Sequence, residues 1–530
     1  MRPLYFTIIL LGGLLMAGCT IGPNYVRPKV TLSKNFSETN PMTTTNQPVS
    51  EWWKTFKDPE LDKLIEGALT QNYDLQAAYA RVRQSRFQRN IVAADLFPQV
   101  DADGGYAFSH GSKNVVLPLG GGGGGSSSKT STGGTGTKVQ SHAEKDSSSS
   151  DSSSASGNSS AGGNNDSAFD NQLSPLGKGG LPGADTDLYQ VGFDASWEID
   201  VFGAKRRQVE AANAEVQVAA NRRHELELSI VAEVARNYFA LRGAQARLAI
   251  AETNLADQNE VLELTRSRAR SGLAMEADVA RAAAEAATTS AEIPPLRAQT
   301  REMIHALSVL LGREPAALEN ELASGQALPA TPPIVPIGLP SQLIERRPDI
   351  QEAEREIAAG NARIGSAEAD LLPKFALVAS AGLDSSTYNN LFDLSSRYFL
   401  VSPTVTWRIF DAGRILSNIR LQKSIREEAR LQYQASVLKA LQEVEDSLVN
   451  YAMESERIHT LENARDQNRL ALHLARQRYQ HGLITFLEVL DAERTVLSSE
   501  DALAQSSISQ VIDLVTLYKA LGGGWELAGP

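Results

Sequence analysis

The chain has 530 residues, 42% of them hydrophobic and 22% charged, with a formal net charge of −12 at pH 7. That acidic balance argues against a nucleic-acid partner, because a phosphate-binding surface needs clustered Lys and Arg. A single cysteine, Cys19, excludes an intrachain disulfide framework and any Cys-based zinc site.

Cys19 closes the first recognisable element. Arg2 supplies a positive charge, Leu4 to Leu15 an apolar stretch, and Met16-Ala17-Gly18 a small-residue approach to the cysteine. Residues 1–18 therefore read as a secretory signal peptide. The pattern also resembles a bacterial lipoprotein signal, in which the cysteine is lipidated (palmitate) and becomes the first mature residue. Thr20 stands where an Asp favours inner-membrane retention in enterobacterial lipoproteins. No later segment offers the roughly 18–20 unbroken apolar residues of a membrane-spanning helix. A membrane crossing then has to be made by a closed β-barrel.

From about 51 onward the sequence is written twice. Trp197-Glu198-Ile199-Asp200-Val201-Phe202-Gly203 answers to Trp407-Arg408-Ile409-Phe410-Asp411-Ala412-Gly413. The same shift pairs Glu233-Val234 with Glu443-Val444, Gly272-Leu273 with Gly482-Leu483, and Val279 with Val489. Upstream, Ala94-Asp95-Leu96-Phe97-Pro98 pairs with Ala369-Asp370-Leu371-Leu372-Pro373 in a different register. The first copy therefore carries an insertion between Pro98 and Trp197. Its composition from about Gly120 to Gly180 is Gly, Ser, Asn and Asp. Such a stretch cannot bury enough apolar surface to offset its ordering entropy and reads as a disordered surface loop. The expected organisation is a signal peptide at 1–18, an extended lipidated segment at 19–50, and a first repeat at 51–324 with the insertion at about 109–187. A Pro-rich linker at 325–340, a second repeat at 341–521 and a tail at 522–530 follow.

Within each repeat, alternation comes first. Val191, Phe193, Ala195, Trp197, Ile199 and Val201 interleave with Gly192, Asp194, Ser196, Glu198 and Asp200. Val401, Val405, Trp407 and Ile409 do so with Ser402, Thr404, Thr406 and Arg408. Val100 to Phe108 and Phe375 to Leu383 are two further strands. Period two marks a strand with one apolar and one polar face, and such strands suit an outer-membrane barrel with a wet lumen. The smallest known membrane barrels have about eight strands, so four strands either form an open sheet with hazardous edges or are pooled by several chains. After each Gly of the Trp-to-Gly motif runs a helical signal of about 68 residues, Ala204 to Ser271 and Arg414 to His481, about 100 Å at ~1.5 Å per residue. Leu431, Ala435, Leu438, Leu441, Val444, Leu448 and Tyr451 give the second one a coiled-coil stripe. Gly272-Leu273 and Gly482-Leu483 reverse the chain into shorter helices.

Together with Cys19-Thr20-Ile21-Gly22-Pro23-Asn24-Tyr25-Val26-Arg27-Pro28, Leu339-Pro340, Arg346-Arg347-Pro348-Asp349-Ile350 and Lys519-Ala520-Leu521-Gly522-Gly523-Gly524-Trp525, these features resemble the TolC-type outer-membrane efflux factors. Within them they are similar to the lipoprotein branch (OprM-like, NodT). The resemblance implies an α+β membrane protein: a homotrimer whose twelve-stranded barrel, four strands per chain, continues into a long α-helical coiled-coil periplasmic barrel. It implies an outer-membrane location, with a lipid on Cys19 and a large periplasmic extension. The implied function is that of a passive conduit in a tripartite efflux system, exporting small molecules and drugs. The implied partners are a periplasmic adaptor (membrane fusion) protein, an inner-membrane RND-type transporter and outer-membrane lipids, with no cofactor beyond the covalent lipid. By the same resemblance Leu487, Asp491 and Arg494 form the periplasmic gate, and Gly272, Leu273, Gly482 and Leu483 contact the adaptor. Ile484 stands where TolC proper has a basic residue, so TolC's own gating bonds are not transferred.

The seven His match no metal-ligand pattern such as H-E-x-x-H, and no G-x-S-x-G or P-loop is present. The reading is therefore no enzyme, no catalytic residues and no metal site. Two alternatives remain at this stage: an outer-membrane factor serving ABC-driven (type I) protein secretion, and a structural coiled-coil lipoprotein spacer.

Overall fold

The computed structural model describes residues 20–38, 41–110, 185–325, 328–329, 331–332 and 334–525. The signal peptide, Cys19, the Gly/Ser-rich insertion and residues 526–530 lie outside the described residues. The chain divides into two compact units, one helical and one a sheet.

In chain order the elements are β1 (Thr43–Thr44), α1 (Pro59–Gln71), α2 (Tyr73–Ala94), β2 (Gln99–His110), β3 (Asp185–Ile199), α3 (Ala204–Arg270), α4 (Glu276–Leu310) and α5 (Glu319–Leu322). Then come β4 (Val335–Pro336), α6 (Pro340–Arg346), α7 (Pro348–Ala369), β5 (Lys374–Ser385), β6 (Arg397–Thr406), α8 (Arg414–Gln480) and α9 (Phe486–Ala520). The duplication is carried into the elements. Helices α3 and α8 have 67 residues each and α4 and α9 have 35 each. Helices α2 and α7 have 22 each, and β2 and β5 have 12 each.

The helical unit takes its start signals from local chemistry. Asp58 caps α1 by accepting from the Glu60 and Leu61 amides at 3.0 and 3.3 Å, with Pro59 at the first helical position. Gly203 (φ 84°) and Gly413 (φ 82°) carry the chain into the two long helices in a left-handed conformation that other residues resist. Asp411 accepts from the Gly413 and Ile415 amides at 3.0 and 2.8 Å. The core is aromatic where the repeats meet. Trp52 stacks on Tyr518 at 5.2 Å, and Phe56 packs on Phe239 at 4.8 Å. Along α8, Val444, Leu448 and Tyr451 are buried, whereas Leu431 and Leu438 from the same stripe are exposed. Among the described residues these two side chains are left uncovered.

In the sheet unit the strand order is β2-β3-β5-β6. Strands β2 and β3 are antiparallel, with Gln99 opposite Ser196 and His110 opposite Asp185. This register puts Val100, Ala102 and Tyr106 on one face with Ala195, Phe193 and Tyr189, and puts Asp101 and Asp103 on the other with Asp194 and Gly192. On the polar face the Gln190 amide donates to the Tyr398 hydroxyl at 2.9 Å. Strands β3 and β5 approach most closely at Gly192 and Gly382, where a Cβ on Gly382 would meet the Val191 carbonyl at 2.5 Å. On the apolar face Val100, Phe193, Phe399 and Val405 are all more than half exposed. Strand β6 ends at Thr406, short of Trp407 and Ile409, both expected in it. Trp407 leaves the ladder to donate its indole N–H to the Leu371 carbonyl at 3.0 Å. Of the three acidic residues expected inside, Asp194 lies on the polar strand face. Asp200 instead accepts from the Arg206 backbone and guanidinium, and Glu198 faces Lys205 at 3.7 Å.

Candidate functional site: the helix turns and the strapped N-terminus

Both long helices end in the same capping motif. Gly272 and Gly482 take positive φ (71° and 74°). The Leu273 amide reaches the Arg268 carbonyl and the Leu483 amide the Arg478 carbonyl, each at 2.9 Å. This is the Schellman arrangement, and it satisfies the last carbonyls of each helix. A Cβ on either glycine would meet nothing within 4 Å, and Leu273 and Leu483 are 76% and 68% exposed, so both turns project as apolar tips. Behind them Tyr479 packs on Phe486 at 5.5 Å and under the Arg268 guanidinium at 4.9 Å.

Helix α9 starts with a capping box, Thr485 with Glu488. One turn further on, Leu487 is half exposed and Asp491 exposed, and the Asp491 carboxylate has no hydrogen-bond or ion-pair partner among the described residues. Arg494 is held: its guanidinium lies 2.6 Å from Glu285 of α4, whose side chain is only 8% exposed. A second ion pair on the same turn joins Arg476 of α8 to Glu493 of α9 at 3.0 Å. The segment carrying Leu487, Asp491 and Arg494 is thus bolted to two different helices. The two buried carboxylates, Glu285 and Glu493, were missed in the sequence. A signal was present, since Val489, Leu490, Glu493 and Val496 form a buried three-and-four spacing with a charge inside it.

Burial raises the Glu493 carboxyl above the usual range; Arg476 pulls the other way, while Glu285 and Asp257 add to the rise. A carboxyl with a raised folded value takes up its proton more readily folded than unfolded. Its contribution to stability is therefore full below the unfolded value and is lost as pH rises through the folded one. Glu493→Gln should keep the packing and remove this part of the pH dependence, flattening the midpoint of thermal unfolding across the mildly acidic range. An unchanged slope would sink that assignment.

The N-terminal segment forms a strap on the long helices. Thr20 packs on Gly203, where a Cβ would sit 2.8 Å from its Cγ2, and the Ile21 amide donates to the Phe202 carbonyl at 3.1 Å. Arg207 donates to Ile21 O, Gly22 O and Asn24 Oδ1 at 3.1, 3.2 and 2.8 Å. Tyr25 and Arg27 both reach the buried Glu354 of α7 at 3.0 Å. Thr20 is therefore a point fixed at the start of α3. The other two sequence phrases meet each other. Arg347 bonds Asp349 and Glu443, each at 2.7 Å, and the Ala520 carbonyl at 3.0 Å. Trp525 donates to Arg346 O at 3.0 Å.

Among the described residues no group of three His, Cys, Asp or Glu could hold a metal ion, and no helix is long and apolar enough to cross a membrane. A four-stranded sheet with one exposed apolar face, in a chain that also folds into paired 67-residue helices, defines the class as an outer-membrane channel of the TolC-like fold. The chain belongs to the outer membrane efflux protein family, whose model matches residues 146–313 and 339–523. It is 31% identical over 484 residues to the pyoverdine export outer membrane protein OpmQ of Pseudomonas putida, covering 91% of this chain and 90% of that one. It is 28% identical to nodulation protein T of Rhizobium leguminosarum, covering 97% of this chain and 96% of that one. Its structure resembles that of the outer-membrane channel OprN with a TM-score of 0.79 at 32% identity, covering 96% of this chain and all of that one. The protein is thus an outer-membrane component of an efflux system, and its relatives are channel and transport proteins.

Proposed function

We propose that three copies pool their sheets into a twelve-stranded barrel and act as a passive, non-catalytic conduit for small molecules. The observation that carries this reading is the sheet order: among the described residues β2 and β6 each have one neighbour, so both edges are open, and the sheet's apolar face is exposed. An open apolar sheet is hazardous in water and in lipid, and closing it with further copies removes both edges. The lipid on Cys19 adds an anchor beside the fixed start of α3. The apolar tips at Gly272-Leu273 and Gly482-Leu483 are the surface offered to a periplasmic adaptor, through which an inner-membrane RND-type transporter feeds the tube. Leu487, Asp491 and Arg494 form the gate, and three exposed Asp491 carboxylates at one level make a constriction responsive to cations.

Mass measurement of detergent-extracted protein, followed by planar-bilayer recording, tests the reading. Trimers that conduct are the expected result. A stable monomer, or a trimer that never conducts, would reduce the sheet and helices to a lipid-tethered scaffold.

A further inference from the structure

Two cavities adjoin along the N-terminal strap, and Arg27 and Glu345 line both of them. The first, about 420 Å³, is polar: Gln217 and Asn221 of α3 and Gln351 and Arg355 of α7 face it. The second, about 640 Å³, has an apolar wall. Val30 and Leu32 of the chain after the strap supply one side of it, Leu339 and Ile344 at α6 another, and the ring of Tyr433 on α8 a third. Both volumes fall in the range of roughly 300–1,000 Å³ that small-molecule sites occupy.

Two polar groups in these walls are buried without a partner. Tyr433 is 1% exposed and Asn221 9%, yet neither the Tyr433 hydroxyl nor the Asn221 carboxamide has a hydrogen-bond partner among the described residues. Buried polar groups are normally paired, because an unpaired one gives up its hydration and receives nothing in return. Each of the two lines a cavity, so the missing partner has a place to sit. Arg27, common to both cavities, is only partly engaged. Its Nε lies 3.0 Å from Glu354, a carboxylate that also accepts from the Tyr25 hydroxyl at 3.0 Å and pairs with Arg355. Glu354 is the one ion-pair partner of Arg27 among the described residues, and the exposed Glu345 carboxylate has none there.

We propose that this groove binds a single-chain phospholipid. The acyl chain lies on the apolar wall of the second cavity. The phosphate takes the free donors of Arg27 and the Tyr433 hydroxyl, since a guanidinium fork matches phosphate oxygens. The polar head enters the first cavity, where Asn221 gains its hydrogen bond and Glu345 faces an ammonium. The order of chemistry along the groove, apolar wall, cation with hydroxyl, then amides with a free carboxylate, is the order of tail, phosphate and aminated head. A small anion would leave the apolar wall wet, and a neutral solute would leave Arg27 unmatched. All of these residues belong to one chain, so the site stands apart from the oligomeric and conduit readings.

Isothermal titration calorimetry of the full-length protein, held in amphipol rather than detergent, tests the proposal. The probes are lauroyl lysophosphatidylethanolamine, dodecyl phosphate and inorganic phosphate. One lysophospholipid per chain is the expected result, with dodecyl phosphate weaker and inorganic phosphate below detection. Tyr433→Phe removes only a hydroxyl that has no partner, so thermal unfolding should not move. Both amphiphiles should nonetheless bind about tenfold more weakly, as for the loss of one hydrogen bond to a charged group. Asn221→Ala should weaken the lysophospholipid and spare dodecyl phosphate. Ser341→Trp, at an exposed position lining the second cavity, should block both. Inorganic phosphate that binds as tightly as dodecyl phosphate would reduce the groove to an anion site and overturn the proposal. Binding that neither Tyr433→Phe nor Ser341→Trp changes, or no binding at all, would overturn it too.

Discussion

Arg347→Met is expected to destabilise the helical unit by about 3–5 kcal/mol, the range for removing one partner of a buried charged cluster. The side chain is 10% exposed and joins three elements: Asp349 at the start of α7, Glu443 on α8 and the Ala520 carbonyl at the end of α9. Methionine matches much of the volume but leaves the Ala520 carbonyl without this donor, Asp349 without this counter-charge and Glu443 with Lys439 at 3.9 Å in place of Arg347 at 2.7 Å. Gly522 lies against the Arg347 side chain, its Cβ position 3.1 Å from Arg347 Cγ, so the C-terminal Gly-rich turn should loosen with it. Thermal unfolding of the detergent-solubilised protein measures this, and loss of less than about 1 kcal/mol, the value of an exposed pair, would show that the cluster is not a structural joint. Arg347→Lys should recover only part, because a point charge cannot hold a carboxylate in bidentate fashion and reach a carbonyl together.

Arg494→Ala is expected to raise the open fraction of the channel about fivefold, the equivalent of the ~1 kcal/mol that a partly exposed ion pair supplies. The pair to Glu285 ties the first turns of α9, where the gate is proposed, to α4 of the other repeat. Glu285→Gln should reproduce the effect, and the double substitution should add little, as expected for two ends of one interaction. Asp491→Ala acts differently. Its carboxylate is exposed and unpaired among the described residues, so its loss should leave stability unchanged and weaken the response of conductance to divalent cations. Single-channel recording separates these outcomes. An open fraction that Arg494→Ala does not move, in protein that remains oligomeric, would remove this turn from gating.

Much of the fold was legible because its signals are local and repeated. Long runs free of Pro, Gly at the reversals and period-two alternation each act over a few residues, and the second copy of each pattern checked the first. The strand limit at Thr406 was not legible. Trp407 and Ile409 continue the alternation, and the carbonyl of Leu371, a partner in the turn between α7 and β5, holds the indole out of the ladder. The candidate site was legible in part. Leu487, Asp491 and Arg494 were singled out by a family motif, but Glu285 and Glu493 look like ordinary helix-surface carboxylates until the packing places them inside.

The sequence by itself determined the duplication, the element types and the reversals at Gly272 and Gly482, since each depends on near-neighbour periodicity. Only the tertiary structure decided which carboxylate meets which arginine, that residues 20–28 lie as a strap along α3 and α7, and which faces of α2 and α8 are left bare. Those outcomes depend on contacts between residues hundreds of positions apart. Such contacts are selected by the summed packing of whole helices, and no window of sequence contains that sum.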